Sequence, residues 1–198
     1  MYADLPYSQA CENNKAPILE VLTEAFAKSL KVLEIGSGTG QHAVHFAANL
    51  PHLIWQASDQ PQYLPELNER LHRAGLANLP PAHCLDVTQH ALAGRYDALF
   101  TANTLHIMSW PMVATFFERL NEFVSASATV CIYGPFNYKG CYTSASNQAF
   151  DQSLKSRDAA MGIRDIEQVL ALAKAQDFSL FEDITMPANN RLLWLKRL

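Results

Sequence analysis

The chain has 198 residues, 49% hydrophobic and 17% charged, which is enough apolar material for one core and little for two. Fifteen Lys and Arg against nineteen Asp and Glu leave a net charge of −4, so neither nucleic acid nor an anionic membrane surface is an expected partner. Cys11, Cys84, Cys131 and Cys141 show no C-x-x-C or Cys/His ligand spacing. The first residues lack a basic region followed by an apolar run, and no stretch approaches the ~18 apolar residues of a membrane span, so a reduced, cytoplasmic, metal-free chain is expected.

Taken in chain order, short β-type runs alternate with longer helical patterns. A helix over 17–26 starts at Pro17, a favoured first-turn residue, and carries the apolar stripe Ile18, Leu19, Leu22, Ala25 and Phe26. A strand over 31–35 leads through a glycine-rich turn into a helix over 40–49, with Ala43, Phe46, Ala47 and Leu50 inward. After Pro51 comes a second strand over 53–58. A helix over 61–74 ends at Gly75, and strands over 82–85 and 96–101 follow. A helix over 111–124 and a fifth strand over 129–133 complete the repeating part.

From Gly134 to about Ile163 the composition reads as a long, and hence functional, loop with one helix over 147–156. A last helix over 164–176 precedes strands over 179–186 and 191–196, joined by the turn residues Pro187, Ala188, Asn189 and Asn190 as an antiparallel hairpin. The alternation predicts a single doubly wound α/β domain over 1–198 with a mostly parallel sheet.

The chemistry centres on Glu34-Ile35-Gly36-Ser37-Gly38-Thr39-Gly40. Glycines at alternate positions between strand and helix let the backbone turn sharply and leave no Cβ between main chain and ligand. A phosphate P-loop would need Gly-Lys-Ser/Thr, whereas Gln41 and His42 follow Gly40. A dinucleotide fingerprint would need Gly or Ala at the position of Gln41, which disfavours a nucleotide-dependent oxidoreductase.

The acid-x-Gly-x-Gly-x-Gly spacing resembles motif I of class I S-adenosylmethionine (SAM)-dependent methyltransferases. The resemblance implies a Rossmann-like fold with a seven-stranded, mostly parallel sheet, an antiparallel C-terminal hairpin strand and helices on both faces. SAM has no phosphate but has an ammonium and a sulfonium, which favour a nearby carboxylate such as Glu34. Gly36, Ser37, Gly38 and Gly40 would cradle it. Asp59, about 20 residues beyond the loop, is placed to accept both ribose hydroxyls; its alternative is to cap the helix after Pro61. Asp86 resembles the acid that family members place on the adenine amino group, or is a cap. Asn103 and His106 follow the fourth strand, where such enzymes seat the methionine portion and the acceptor. His106 is either a general base or a hydrogen-bonded structural group.

Against amino-methylating DNA enzymes, which resemble one another in an Asn/Asp/Ser-Pro-Pro-aromatic run, this chain has Ala102-Asn103-Thr104-Leu105. It also lacks a Pro-Cys nucleophile and the acids of catechol-type metal sites. Further stretches are similar to the methyltransferase-like protein 26 family: Glu12, Asn14 and Pro17, then Trp55 and Asp59, the run Tyr133 to Gly140, Gly162 to Asp165, and Met186 to Asn190. Asn13, Ala16 and Met161 depart from that family's pattern. The entry segment and the 134–163 region are the expected lids. Asn14, Tyr133, Asn137, Arg157 and Arg164 are the candidate substrate residues in or beside them, the two arginines suiting an anionic acceptor or pairing with Asp158 and Asp165. The expected function is methyl transfer from SAM to a small or medium acceptor; the alternative is a SAM-binding protein without chemistry.

Overall fold

A computed structural model describes residues 2–92 and 94–197; the single-domain expectation over 1–198 extends to three residues outside that description. The first half alternates regularly: α1 Gln9–Ala25, β1 Lys31–Ile35, α2 Gln41–Asn49, β2 Ile54–Asp59, α3 Leu64–Ala74, β3 His83–Cys84 and β4 Tyr96–Ala102. Then come α4 Trp110–Glu118, α5 Leu120–Phe123, β5 Val124–Gly134, β6 Phe136–Asn137, α6 Ala145–Arg157, β7 Arg164–Asp165, α7 Ile166–Lys174, β8 Phe178–Met186 and β9 Asn190–Arg197.

Seven strands form one sheet in the order β3-β2-β1-β4-β5-β9-β8, with β6 and β7 making a separate two-stranded ladder. The pairs from β3 to β5 are parallel, and β9 runs antiparallel to both β5 and β8. The central strands are buried on both faces, so their apolar residues divide between two cores. Leu33, Ile35, Leu99 and Val130 pack with Phe116, Phe117, Phe123 and Val169 of α4, α5 and α7. Val32, Trp55, Phe100 and Cys131 pack with Ile18, Leu22, Phe46 and Leu67 of α1, α2 and α3. The expected seven-stranded sheet, antiparallel hairpin and two helical layers are all present.

Local boundaries differ, each for a physical reason. The first helix begins at Gln9 and not at Pro17: Ser8 caps it by accepting from Cys11 N–H at 3.3 Å, and Pro17 lies inside the helix. There its missing N–H forfeits one bond within a turn otherwise tied down by tertiary contacts. The helix expected over 111–124 is two pieces, capped by Ser109 and broken at Arg119, and β5 starts at Val124, well before Thr129. The 134–163 excursion leaves the sheet at β6 and returns at β7, where Phe136 pairs with Arg164 and Asn137 with Asp165. Arg164 and Asp165 therefore belong to a strand, and the last helix starts at Ile166. Among the described residues no helix is long and apolar enough to cross a membrane.

Candidate active site

The strand order reverses between β1 and β4, and at such a switch point the loops leaving the strands' carboxyl ends diverge and open a crevice. A cavity of about 620 Å³ lies there. Its floor is Gly36, Ser37, Gly38 and Thr39 after β1, with Ala102 at the end of β4 and Asn103 after it. Its roof comes from α1 through Ser8, Ala10, Cys11, Asn13 and Asn14, and its far wall from Asn147 and Phe150 of α6 and from the β8–β9 turn.

The three glycines of the loop do different work. All have positive φ, but a Cβ on Gly36 would collide with Thr104 Cγ2, and one on Gly40 would lie 2.7 Å from Leu67 Cδ1. A Cβ on Gly38 would meet nothing within 4 Å. Gly40 is thus a packing glycine that seats α2 against α3, away from the cavity wall, while Gly38 is the position open to a ligand. The loop is fixed by its backbone: Gly36 and Ser37 N–H both donate to Ser58 O, at 3.1 and 3.0 Å.

Two carboxyls lie behind the loop. Asp59 accepts from Gly38 N–H at 2.6 Å and from Gln60 N–H at 2.7 Å, one bond to each oxygen, which leaves each with a lone pair to spare. Glu34 is buried and accepts from Trp55 Nε1 at 2.9 Å; burial pushes its carboxyl up to about 7. Asp86 is drawn away from the cavity: one oxygen accepts from Thr88 N–H at 2.9 Å and from the Thr88 hydroxyl at 2.6 Å, the capping geometry, and Gln60 Nε2 lies 3.5 Å from the other.

After β4 the chain turns through Asn103, whose φ of 59° is left-handed and whose N–H donates to Tyr133 O at 2.9 Å. His106 follows, buried, its ring edge-on to Phe150 with centroids 5.2 Å apart. Burial, with Arg164 and Arg157 nearby, lowers its pKa to about 4, so the ring is neutral at pH 7. Opposite it, Tyr133 has its hydroxyl between the side chains of Asn14 and Asn190. Asn14 Oδ1 lies 2.7 Å from His42 Nε2. An amide oxygen only accepts, so that ring nitrogen carries the proton; burial likewise lowers His42 to about 4.

Gln41, the residue that breaks the dinucleotide pattern, fastens the roof. Its Oε1 accepts from Ser8 N–H at 2.6 Å, and its Nε2 donates to Glu12 Oε1 at 2.6 Å. With Asn14 and His42 this makes two adjacent rungs between α1 and the start of α2. Further out, Arg70 donates to Pro6 O at 2.6 Å and Arg73 grips both oxygens of Asp4 at 2.7 and 2.8 Å, strapping the N-terminal segment onto α3.

Of the expected substrate residues, Asn14 and Tyr133 face the cavity and three do not. Asn137 is buried in the β6–β7 ladder. The Arg164 guanidinium is spent on the carbonyls of Leu105, Met108 and Ala160, tying the excursion to the post-β4 loop. Arg157 is exposed at the end of α6, outside the lining. Residues missed as candidates are Cys11, His42, Phe150 and Asn190. Asn190 lies within a stretch quoted for the family resemblance and His42 follows the glycine loop, but nothing in their spacing says that they meet Asn14 and Tyr133. Among the described residues no group of three His, Cys, Asp or Glu could hold a metal ion.

The sheet order gives a Rossmann-like α/β fold that solved methyltransferases also have. Mitomycin 7-O-methyltransferase MmcR shares it with TM-score 0.77 at 19% identity, over 90% of this chain and 54% of its own. An O-methyltransferase family protein from Burkholderia thailandensis gives 0.81 at 14%, over 92% and 56%. The O-methyltransferase NcsB1 from neocarzinostatin biosynthesis, solved with SAM and 2-hydroxy-5-methyl naphthoic acid, gives 0.78 at 13%, over 96% and 55%. The chain spans about half the length of these structures, and at such identities the likeness is one of fold. Over residues 5–197 the chain matches the family described as a protein of unknown function, DUF938, and belongs to it.

Proposed function

We propose that this chain binds SAM in the switch-point cavity and transfers its methyl group to a small or medium acceptor seated beneath α1, α6 and the β8–β9 turn. The observation that carries the reading is Gly38: it lines the cavity, has open space where a Cβ would be, and has its N–H held by the Asp59 carboxylate. A cavity of about 620 Å³ suits a cofactor of this size, given the ~300–1,000 Å³ common for ligand sites. Gly36, Ser37, Gly38 and Asn103 would hold SAM from the floor, and the spare lone pairs of Asp59 would take its ribose hydroxyls. Glu34 would act from beneath the loop, its ionised form favoured by a cation above it. Gly40 and Asp86 support this arrangement by packing and capping.

When bound, SAM supplies a methyl group activated by a sulfonium. The protein's part is alignment and exclusion of water, which need no covalent intermediate. The neutral His106 ring has a free lone pair for an acceptor's proton, though its low basicity makes it a weak general base. That low basicity is also what favours the second reading, a SAM-binding protein without transfer. The likeness to the methyltransferase-like protein 26 family, and a reduced cytoplasmic setting for Cys11, Cys84, Cys131 and Cys141, belong to the same proposal.

Calorimetric titration with S-adenosylhomocysteine and with NAD tests the cofactor. Binding of the former alone is expected, and its failure to bind at millimolar concentration would sink the reading. Asp59→Ala should then weaken it by about 1–3 kcal/mol, the penalty for unpaired ligand hydroxyls in a buried site; unchanged affinity removes Asp59 from the site. Label transfer from SAM into a metabolite extract separates enzyme from binder.

A further inference from the structure

Among the described residues, the polar groups around the cavity include no carboxylate, ammonium or guanidinium: none that lines it is Asp, Glu, Lys or Arg. What it presents are amides and hydroxyls, chiefly Asn14, Asn103, Asn147, Asn190 and Tyr133, with Phe150 as a flat apolar wall.

The charged side chains next to these are committed elsewhere, Arg191 beside Asn190 to Asp183 at 2.7 Å. Glu12 is tied to Lys15 and Gln41. Asp151, one turn beyond Asn147, takes Lys155 at 2.6 Å, the Tyr142 hydroxyl at 2.7 Å and Ile163 N–H at 2.7 Å. Arg164 is held by three carbonyls. On the cofactor side, Glu34 and Asp59 lie behind the glycine loop, where they can balance a cationic ligand without help from the acceptor.

From this lining we infer that the acceptor is an uncharged molecule with amide- or hydroxyl-type hydrogen-bonding groups, and not a carboxylate or phosphate. An anion entering the cavity would leave water for a lining that carries no cation: Arg157, near enough to act on His106, is exposed at the end of α6 outside that lining, and Arg164 is held by carbonyls, whereas a neutral polar molecule finds a donor or acceptor at the asparagines. The two histidines do not alter this, because both are neutral at pH 7. The inference rests on the methyltransferase reading for its account of which part of the cavity the cofactor fills.

The test uses the full chain saturated with S-adenosylhomocysteine and three matched probe pairs: nicotinamide and nicotinate, benzamide and benzoate, uridine and uridine monophosphate. Binding is followed by calorimetry and by the side-chain amide signals of the lining asparagines. At least one neutral member should bind and shift those signals, with its anionic partner weaker by about tenfold or more. Asn13→Lys, which adds a cation on the exposed rim without touching the cofactor floor, should narrow that gap. Anions that bind as well as their neutral partners overturn the inference, and so does the absence of binding by every neutral probe at millimolar concentration. Failure of S-adenosylhomocysteine to bind counts against the cofactor reading instead, and the pairs are then compared on the free protein by the same criteria.

Discussion

The floor and the roof of the cavity are held by different forces. The glycine loop is set by main-chain bonds to Ser58 and by glycines in left-handed conformations, so its geometry depends on backbone and hardly on side-chain identity. The α1 roof is set by side chains that meet across nearly thirty residues of sequence, Glu12 with Gln41 and Asn14 with His42. A floor of this kind tolerates many side chains around it, while a roof of this kind depends on keeping its pairs.

The comparison breaks most sharply at the glycines. Gly36→Ala and Gly40→Ala each add left-handed strain to overpacking against Thr104 or Leu67, an expected loss of about 2–5 kcal/mol in urea unfolding. Gly38→Ala carries the strain alone, about 1–2 kcal/mol, but should weaken S-adenosylhomocysteine because its Cβ projects into open space. Equal losses at all three positions would mean that the loop is one uniform turn.

Acidity sets the carboxyl behind the floor against two buried histidines. His42 and His106, held near 4 and not at 6.5, bind fewer protons folded than unfolded between those values; the stability this gives is full above pH 6.5 and lost as pH falls toward 4. Glu34, raised from 4.5 to about 7, acts oppositely: its contribution is present below pH 4.5 and lost as pH rises through 7. Between pH 4.5 and 6.5 the two histidines outweigh the one carboxyl, so the joint contribution of these three groups should climb by about 1.4 kcal/mol per pH unit. Glu34→Gln removes the opposing group and should roughly double that slope, as chemical denaturation across the range would show. An unchanged slope would take Glu34 out of the balance.

A local effect sharpens the roof. Gln41→Ala leaves Ser8 N–H without its acceptor and Glu12 with Lys15 alone, and should cost about 1–3 kcal/mol. It should also loosen α1, raising amide exchange over its first turns while the β1 amides stay protected. Uniform exchange across both would show that α1 does not open independently.

This division explains what could be read in advance. Sheet class, glycine loop and C-terminal hairpin were all legible, because strand periodicity and glycine spacing report backbone geometry directly. The start of α1 was not: Pro17 offered a local helix-start signal, while the true start depends on Ser8 capping Cys11 and docking on Gln41. Gln41 itself showed only as a departure from a nucleotide motif, since its partners lie in a segment whose contact with α2 no periodicity announces. Arg164 was legible as a cation but not as a clamp, because the carbonyls of Leu105 and Met108 that absorb it carry no sequence signature.

The two rungs between α1 and α2 also have a bearing on descent. A glycine that makes room for a neighbour answers to bulk alone, but Glu12 and Gln41 complete one another atom for atom, as do Asn14 and His42. Substitutions along this lineage should therefore arrive in couples at positions 12 and 41 and at 14 and 42, an imprint of the roof that can be sought in kindred sequences before any ligand is known.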